Sequence, residues 1–570
     1  MPSLQSYAVR GNHYWRIVES YRDKHGHPRL RVLRHLGTAD KLLQLLSQAP
    51  GRPLCAEERD FGATAALWDL AQQLDLVRTT DAQAPKRKQG PSVGEYLLLA
   101  TLNRALAPTS KRQLAAWYRN TILVRLLPLP PAALRSQRFW DHLHTLDAAQ
   151  LARIEEDLTR RLVEEWGVGL EALFYDTTHF DTFLSSENPA KLAKRGHAKS
   201  KRTDLRIVGL ALLVSWDFHI PLFSQIYEGN QNDSVTFSGV LDDLVARYQM
   251  FRGKCENITL VFDKGNNSAE NFQELDNSPY HFIGSLVPSQ HQDLLAIPLQ
   301  KFHALDDPAF AGVRAYRTAK EVFGRKRTIV ITRSRALLRG QIRGIRQHLT
   351  KKMRALRDLQ KRIVRSHEPG WRGKPYTVAS IQKNLDSIIS GQYIQDFLWG
   401  QVTRKRRRLG IAFGTDEEAY RKLKERVLGK RILFTDRTDR TDEQIIFGYR
   451  GQQHIERAFR EMKDPYCIRF SPPRHWTDHM LRVHAFSCVL ALTLVSLLHR
   501  RVAQAGVEIT QSRLIEQLKG IKEITNYYPA QSGKKLRPGG RPRSERTLTR
   551  LDPQQEQIFR TLQLDRFLAS

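Results

Sequence analysis

Two acidic residues stand where acids are costly, and with a third on a helix they are the first sign of chemistry. Asp176 follows the apolar run LEALFY, and Asp263 ends the apolar run ITLVF. An unpaired charge at the end of a buried strand is strongly unfavourable, so a carboxylate kept there needs a partner. Two carboxylates on neighbouring strands repel each other, and a divalent cation between them converts that repulsion into binding. The third acid, Glu456, lies in EQIIFGYRGQQHIERAFREMKD over 443–464. Read as one helix, this segment brings Tyr449, Gln452, Glu456 and Lys463 within about 60° of one face, with Arg460 about 40° from Glu456. Ile455, Phe459 and Met462 make an adjoining apolar stripe that would seat the helix on a sheet. An acid beside a tyrosine and a lysine suits a metal ligand next to groups that contact phosphate. Taken singly, each feature also has a plainer account: surface acids at strand-to-loop junctions, and an amphipathic helix with ion pairs one turn apart.

These side chains have to be positioned by a sheet. Residues 170–180 read as a strand, 205–230 as two long strands turning near Asp217-Phe218-His219, 258–266 and 281–287 as further strands, and 235–250 as a helix. The order β-β-β-α-β-α-β lets three antiparallel strands lead into a parallel crossover. That suits a ribonuclease H-like sheet and fits other mixed sheets as well. Asp181 is an odd number of residues from Asp176, so it points to the opposite face of its strand and is not expected to be a ligand. His179 reads as structural.

The expected fold is α/β: a ribonuclease H-like mixed-sheet core with an inserted domain, preceded by a helical DNA-binding region. Residues 1–50 read as a small β unit with a turn at His25-Gly26-His27-Pro28. Residues 51–165 read as a helical region expected to bind DNA, in which SVGEYLLLATLNRAL and KRQLAAWYRN suit either a helix-turn-helix or plain helical packing. The core takes 166–290 and 431–500, interrupted by an insertion over 291–430. Inside it, a hairpin leads to a long helix from Ser334, with Leu338, Ile342, Ile345, Leu349, Met353, Leu356, Leu359 and Ile363 as one apolar stripe. Ile381, Leu385 and Ile388 mark a second helix able to pack against it. Arg343, Lys351 and Lys352 lie among the basic residues of the long helix and are expected to contact DNA, as are Lys199, Lys201 and Arg202 in the core. Residues 501–570 read as a C-terminal helical region carrying the basic linker SGKKLRPGGRPRSER.

Composition narrows the partners. The chain carries 91 Lys and Arg against 59 Asp and Glu, a net charge of +32, with a pI near 10.2. Nucleic acid is the anion that balances such a surplus in a cell. The four cysteines, Cys55, Cys255, Cys467 and Cys488, are scattered, which argues against a disulfide framework and a cysteine zinc site. No phosphate-binding loop of the G-x-x-x-x-G-K-[ST] type occurs, so the chemistry does not call on a bound nucleotide. The N-terminus has no apolar signal core, and the run VHAFSCVLALTLVSLL reads as a buried helix rather than a span. The expected location is the cytoplasm, in association with the nucleoid and with no membrane partner.

The words around the acids are more specific than their chemistry. Tyr449, Gln452, Glu456 and Lys463 have the spacing of the Y-R-E-K signature of DDE transposases of the insertion-sequence-four superfamily. The chain resembles that group, and its long-transposase branch of the sixteen-thirty-four type, over roughly 10–500. The resemblance runs through HYWRIVESYRDKHGHPRLRVLRHLG, FYDTTHF, RGHAKSKRTDLRIVGLALLV, PLFSQIYEGNQNDSVTF, LVFDKGNNSAENF and YRGQQHIERAFREMK. It implies that Asp176, Asp263 and Glu456 are the catalytic triad and the ligands of two Mg²⁺ ions, with Mn²⁺ able to substitute. It also implies an insertion-sequence enzyme that cuts double-stranded DNA at the element's terminal repeats and joins the 3′-OH ends to target DNA, as a homodimer in a synaptic complex. Gly229, Asn230, Asp233 and Thr236 match the group's G-N-x-x-D stretch, which suits either the DNA path or a turn before a helix. The chain departs from the signature at Gln452, where an arginine is the rule. A non-catalytic or domesticated DNA-binding descendant of a transposase is the alternative reading.

Overall fold

The computed structural model describes residues 2–48, 53–85, 90–196, 202–232, 235–237, 239–240, 243, 257–406, 408–473, 475–528 and 543–568. Its contacts divide the chain into two units. One comprises Met1–Ala66, Ala115–Leu129 and Ser512–Ser570, and the other Leu67–Leu114 and Pro130–Gln511.

The first unit opens with an antiparallel sheet of β1 (Pro2–Val9), β2 (Asn12–Arg22) and β3 (Pro28–Thr38). Arg10 and Gly11 join β1 to β2 with φ of 53° and 83°, the doubly left-handed two-residue turn that matches strand twist. This is the small β unit expected at the N-terminus. A second sheet places β16 (Lys522–Tyr528) between β4 (Cys55–Asp60) and β17 (Arg543–Leu548). There Arg125 pairs with the buried Glu523 at 2.6 Å.

The second unit is built on a nine-stranded sheet. Its strands are β5 (Ala172–Thr182), β6 (Arg206–Ser215), β7 (Pro221–Glu228), β8 (Thr259–Val261), β9 (His281–Ser285), β10 (His303–Ala304), β11 (Val313–Val322), β12 (Arg325–Ser334) and β15 (Lys430–Thr435). They lie in the order β10-β11-β12-β15-β9-β8-β5-β6-β7. β5, β6 and β7 are antiparallel neighbours, whereas β5, β8 and β9 run parallel. Every residue of β6 is buried, as a strand covered on both faces requires. The turn from β6 to β7 passes through Phe218 and His219, both at positive φ. Phenylalanine rings fasten the strands around β8: Phe262 and Phe282 lie 6.0 Å apart, Phe282 and Phe434 5.1 Å, and Phe272 and Phe323 4.3 Å. Such ring pairs add to the area they bury. The helix expected over 235–250 falls mostly outside the described residues.

Two expectations change in detail. The hairpin placed at the start of the insertion, β11–β12, is hydrogen-bonded through β12 to β15 and so extends the main sheet. What stands apart from the sheet is the segment between β12 and β15. It holds the helix Arg335–Arg365, capped by Ser334, then the helix Val378–Ile389, the hairpin β13 (Leu398–Lys405) and β14 (Arg408–Thr415), and the helix Glu417–Arg426. Ile345, Leu356, Leu359 and Ile363 are buried there with Ile381 and Leu385, and the rest of the expected stripe packs around them. The second change concerns 443–464, which forms two helices, Asp442–Arg450 and Gln452–Lys463, hinged at Gly451. A Cβ at Gly451 would lie 2.1 Å from the Phe174 ring, so only glycine lets the chain approach β5 this closely.

Two helices prove to be core elements. In Val93–Leu106 every residue but Glu95 is buried, and a Ser92–Glu95 capping box starts it. A helix enclosed on all sides has no face of its own to lay in a DNA groove. The helix Asp478–Gln504 is long and apolar enough to cross a membrane, but 94% of its apolar window is buried inside the protein. It is the buried helix expected over 483–498.

Candidate active site

Asp176 and Asp263 come together through strand register. In the parallel pair β5–β8, Phe174 stands opposite Val261, so two residues further on Asp176 and Asp263 leave neighbouring strands side by side. Asp263 begins the short turn Lys264–Asn266 at the end of β8. Asp176 lies within β5, opposite Leu212 of β6, whereas Asp263 lies just past the end of β8.

Glu456 reaches the same crevice from the helix Gln452–Lys463. Ile455, Ala458, Phe459 and Met462 bury one face of that helix and leave Glu456, Arg460 and Lys463 on the other. A cleft of about 880 Å³ is lined by Asp176, Asp263 and Glu456 together with Tyr449, Gln452, Arg460 and Lys463. All seven residues singled out around the acids therefore meet in one place.

Hydrogen bonds fix the frame around them. The Tyr449 hydroxyl lies 3.1 Å from Asp263 Oδ1 and 2.8 Å from Ser285 Oγ. Burial, and then the Asp263 carboxylate, push the Tyr449 pKa well above its ordinary value. The hydroxyl therefore stays protonated and able to donate. Asp176 Oδ1 accepts the Thr177 N–H at 2.8 Å. Lys463 donates to Thr178 Oγ1 at 2.6 Å and its ammonium sits 5.5 Å from the centre of the Phe180 ring, so it is anchored to the strand that carries Asp176.

The sequence reading missed three cations of the cleft, Lys264, Lys430 and Arg431, which lie there with Arg450. Arg431 stacks on the Tyr449 ring at 5.1 Å, and Arg450 lies over Phe310 at 4.6 Å while donating to the Ala309 carbonyl. Lys430 donates to the carbonyls of Leu295 and Ile297, and burial followed by the charges of Arg333 and Arg426 lowers its pKa to about 8. Lys264 had a sequence signal, being next to Asp263. Lys430 and Arg431 had none, because a strand paired from far along the chain brings them in. The insertion forms part of the wall through Leu337, Gln341, Gln392 and Tyr393, and Tyr393 holds φ of 67°.

Other expected residues lie elsewhere. Arg343 and Lys351 are exposed on the helix Arg335–Arg365 and do not line the cleft. Lys352 points inward and caps the second helix, donating to the Ile388 and Ser390 carbonyls at 2.5 and 2.6 Å. Arg202 pairs with Asp204 at the surface. Lys199, Lys201 and Asp233 fall outside the described residues. Gly229 packs so closely on Ile207 that a Cβ would lie 2.0 Å from its carbonyl oxygen, and Thr236 is buried. Packing thus accounts for these two members of the G-N-x-x-D stretch.

The donor set suits a hard cation. Among the described residues no three His, Cys, Asp or Glu side chains are close enough to hold one ion together. Magnesium does not need three, since it is bound by one or two carboxylates and keeps water or substrate phosphate as its other ligands. Asp176, Asp263 and Glu456, which line one cleft, offer oxygen donors of the kind such an ion takes.

The cleft thus brings three acids together with a rim of Lys and Arg side chains. Residues 8–62 match the IS1634 family transposase, N-terminal domain, and this match supports a transposase of the IS1634 type. Among solved structures it is similar to the piggyBac transposase in a cryo-EM structure of its synaptic complex with hairpin DNA. That alignment has 8% identity and a TM-score of 0.35, and covers 80% of this chain and 78% of the other. No curated protein matches the chain.

Proposed function

We propose that the protein is a DDE-type transposase that cuts double-stranded DNA at the ends of an insertion sequence and joins the freed 3′-OH to target DNA. The observation that carries this reading is the meeting of Asp176, Asp263 and Glu456 in one cleft, each delivered by a separate element. The strand order β7-β6-β5-β8-β9, with three antiparallel strands followed by two parallel ones, supports the ribonuclease H-like assignment of the core.

Asp176 with Asp263, and Asp176 with Glu456, would hold two Mg²⁺ ions. Bound there, the ions would lower the pKa of an attacking water and stabilise the departing 3′-oxygen. The remaining work falls to the protein. Tyr449 orients the Asp263 carboxylate. Lys264, Arg460 and Lys463 attract and position the phosphodiester, and Lys463 does so from a fixed point on β5. Cutting releases a 3′-OH that is itself a nucleophile toward a second phosphodiester, so bonds are exchanged one for one without a nucleotide. Holding two element ends at once calls for a homodimer.

Gln452 favours the second reading, a DNA-binding descendant that no longer cuts. It lines the cleft where the signature has a cation, and it offers hydrogen bonds without charge. Arg460 lies on the same wall and supplies a positive group there. The test uses purified protein and a plasmid carrying the element's ends, with Mg²⁺, Mn²⁺ or EDTA. Cleavage at the ends is expected with either metal, and EDTA, Asp176→Ala, Asp263→Ala or Glu456→Ala should each abolish it while DNA binding survives. Binding without cleavage in both metals would establish the second reading, and Gln452→Arg would then be tested for rescue.

A further inference from the structure

The helix Arg335–Arg365 carries a charge pattern that the cleft does not use. Positions 335, 339, 343, 346, 350, 354, 357, 361 and 365 recur at steps of four and three, and every one except Thr350 is Arg or Lys. At 100° per residue they fall within about 120° of arc. All eight basic residues are exposed. The whole helix has eleven Arg and Lys against a single carboxylate, Asp358. A solvated helix face normally interleaves both signs, because opposite charges one turn apart stabilise it and like charges destabilise it. A row of like charges along about 45 Å of helix is unfavourable until an anion neutralises it.

The row also faces away from the cleft. Leu337 and Gln341, which line the cleft, lie about 160° around the helix from the centre of the row. Ile345, Leu356, Leu359 and Ile363 hold the helix against the rest of the insertion by a side that adjoins these cleft residues and also faces away from the row. Whatever meets the row is therefore not the DNA that lies against those cleft residues.

We propose that this ridge is a second DNA-binding surface, which takes the backbone of a duplex other than the one in the acidic cleft. The inference rests on the transposase reading only for the identity of the first duplex. An enzyme that joins one DNA to another must hold both, and the second can have any sequence. The ridge suits that task. Duplex DNA presents one charge per about 1.7 Å of axis, so roughly 26 lie along the length of the helix. Evenly spaced cations with no hydrogen-bonding pattern for bases read backbone alone.

The test uses the full chain and two 40-base-pair duplexes of random sequence with different dyes. The variant is Arg346→Gln/Arg354→Gln/Arg357→Gln/Lys361→Gln, all exposed positions, with circular dichroism to check folding. Wild type is expected to take up to two duplexes per chain, and the variant one. The slope of log affinity against log salt should flatten by about 0.9 for each contact removed. A companion variant with lysine at the three arginine positions should keep the second duplex. The proposal is overturned if the wild type saturates at one duplex per chain, if the glutamine variant keeps both the slope and the second duplex, or if duplex RNA displaces the DNA at lower concentration. Two duplexes bound by a wild type that leaves a plasmid carrying the element's ends uncut in both Mg²⁺ and Mn²⁺ would leave the ridge standing and remove the cutting activity.

Discussion

Tyr449 is 5% exposed, and its hydroxyl is placed between a carboxylate and a serine. Tyr449→Phe deletes both contacts inside a packed site, which should cost about 1–3 kcal/mol in urea unfolding. Cleavage should fall further than DNA binding, because Asp263 loses its orienting partner. Glu461, on the same helix as Glu456, shows a different effect. Burial raises its carboxyl to about 7, against the opposing charges of Arg457 and Arg460, and Gln511 donates to it at 2.8 Å. The folded chain thus binds a proton that the unfolded chain releases nearer 4.5. The stability this contributes is full below about pH 4.5 and is lost as pH rises through about 7. Glu461→Gln should therefore gain stability over wild type at pH 8 and little at pH 5, as read by thermal melting at the two values. At this scale the acids were legible, because an acid ending an apolar run is conspicuous. Glu461 was not, since burial on the back of a helix depends on what packs there.

Elements were legible where one face or both are apolar along a continuous stretch. The strands β5, β6, β7 and β9 and the long helix of the insertion fall close to their expected places. The hinge at Gly451 was not legible, because the apolar period runs straight through it and only the Phe174 ring reveals the need for a glycine. Gly451→Ala must displace either that ring or the helix bearing Glu456. We expect a loss of about 1–3 kcal/mol, with cleavage impaired more than DNA affinity in the same preparation. The hairpin β13–β14 was missed as well. Its strands run up to the basic residues Lys405 and Arg408, and only the core beneath explains why these segments form strands. Leu356 belongs to that core and is fully buried. Leu356→Ala should cost about 2–5 kcal/mol through the cavity it leaves, measured as a shift in the denaturant midpoint.

Across the whole molecule, charge was the plainest message of the sequence, and pairing between distant strands was the least legible. A net charge of +32 predicts affinity for duplex DNA that falls at least a thousandfold between 50 and 200 mM salt, on the order expected for 6–10 phosphate contacts. Fluorescence anisotropy across that range would check it, and a change below tenfold would mean that the surplus charge is not used on DNA. No local pattern announced that β15 pairs with β9, Leu433 opposite Ser285. That pairing also has a consequence in time. A ribosome adding about 5–20 residues per second needs roughly 7–30 s to pass from Ser285 to Leu433, and all that while one edge of β9 has no neighbour. The helix with Glu456 emerges later still. A nascent chain thus carries its two cleft aspartates before it carries Glu456, so on the proposed function cutting waits until the helix that bears this third acid has emerged.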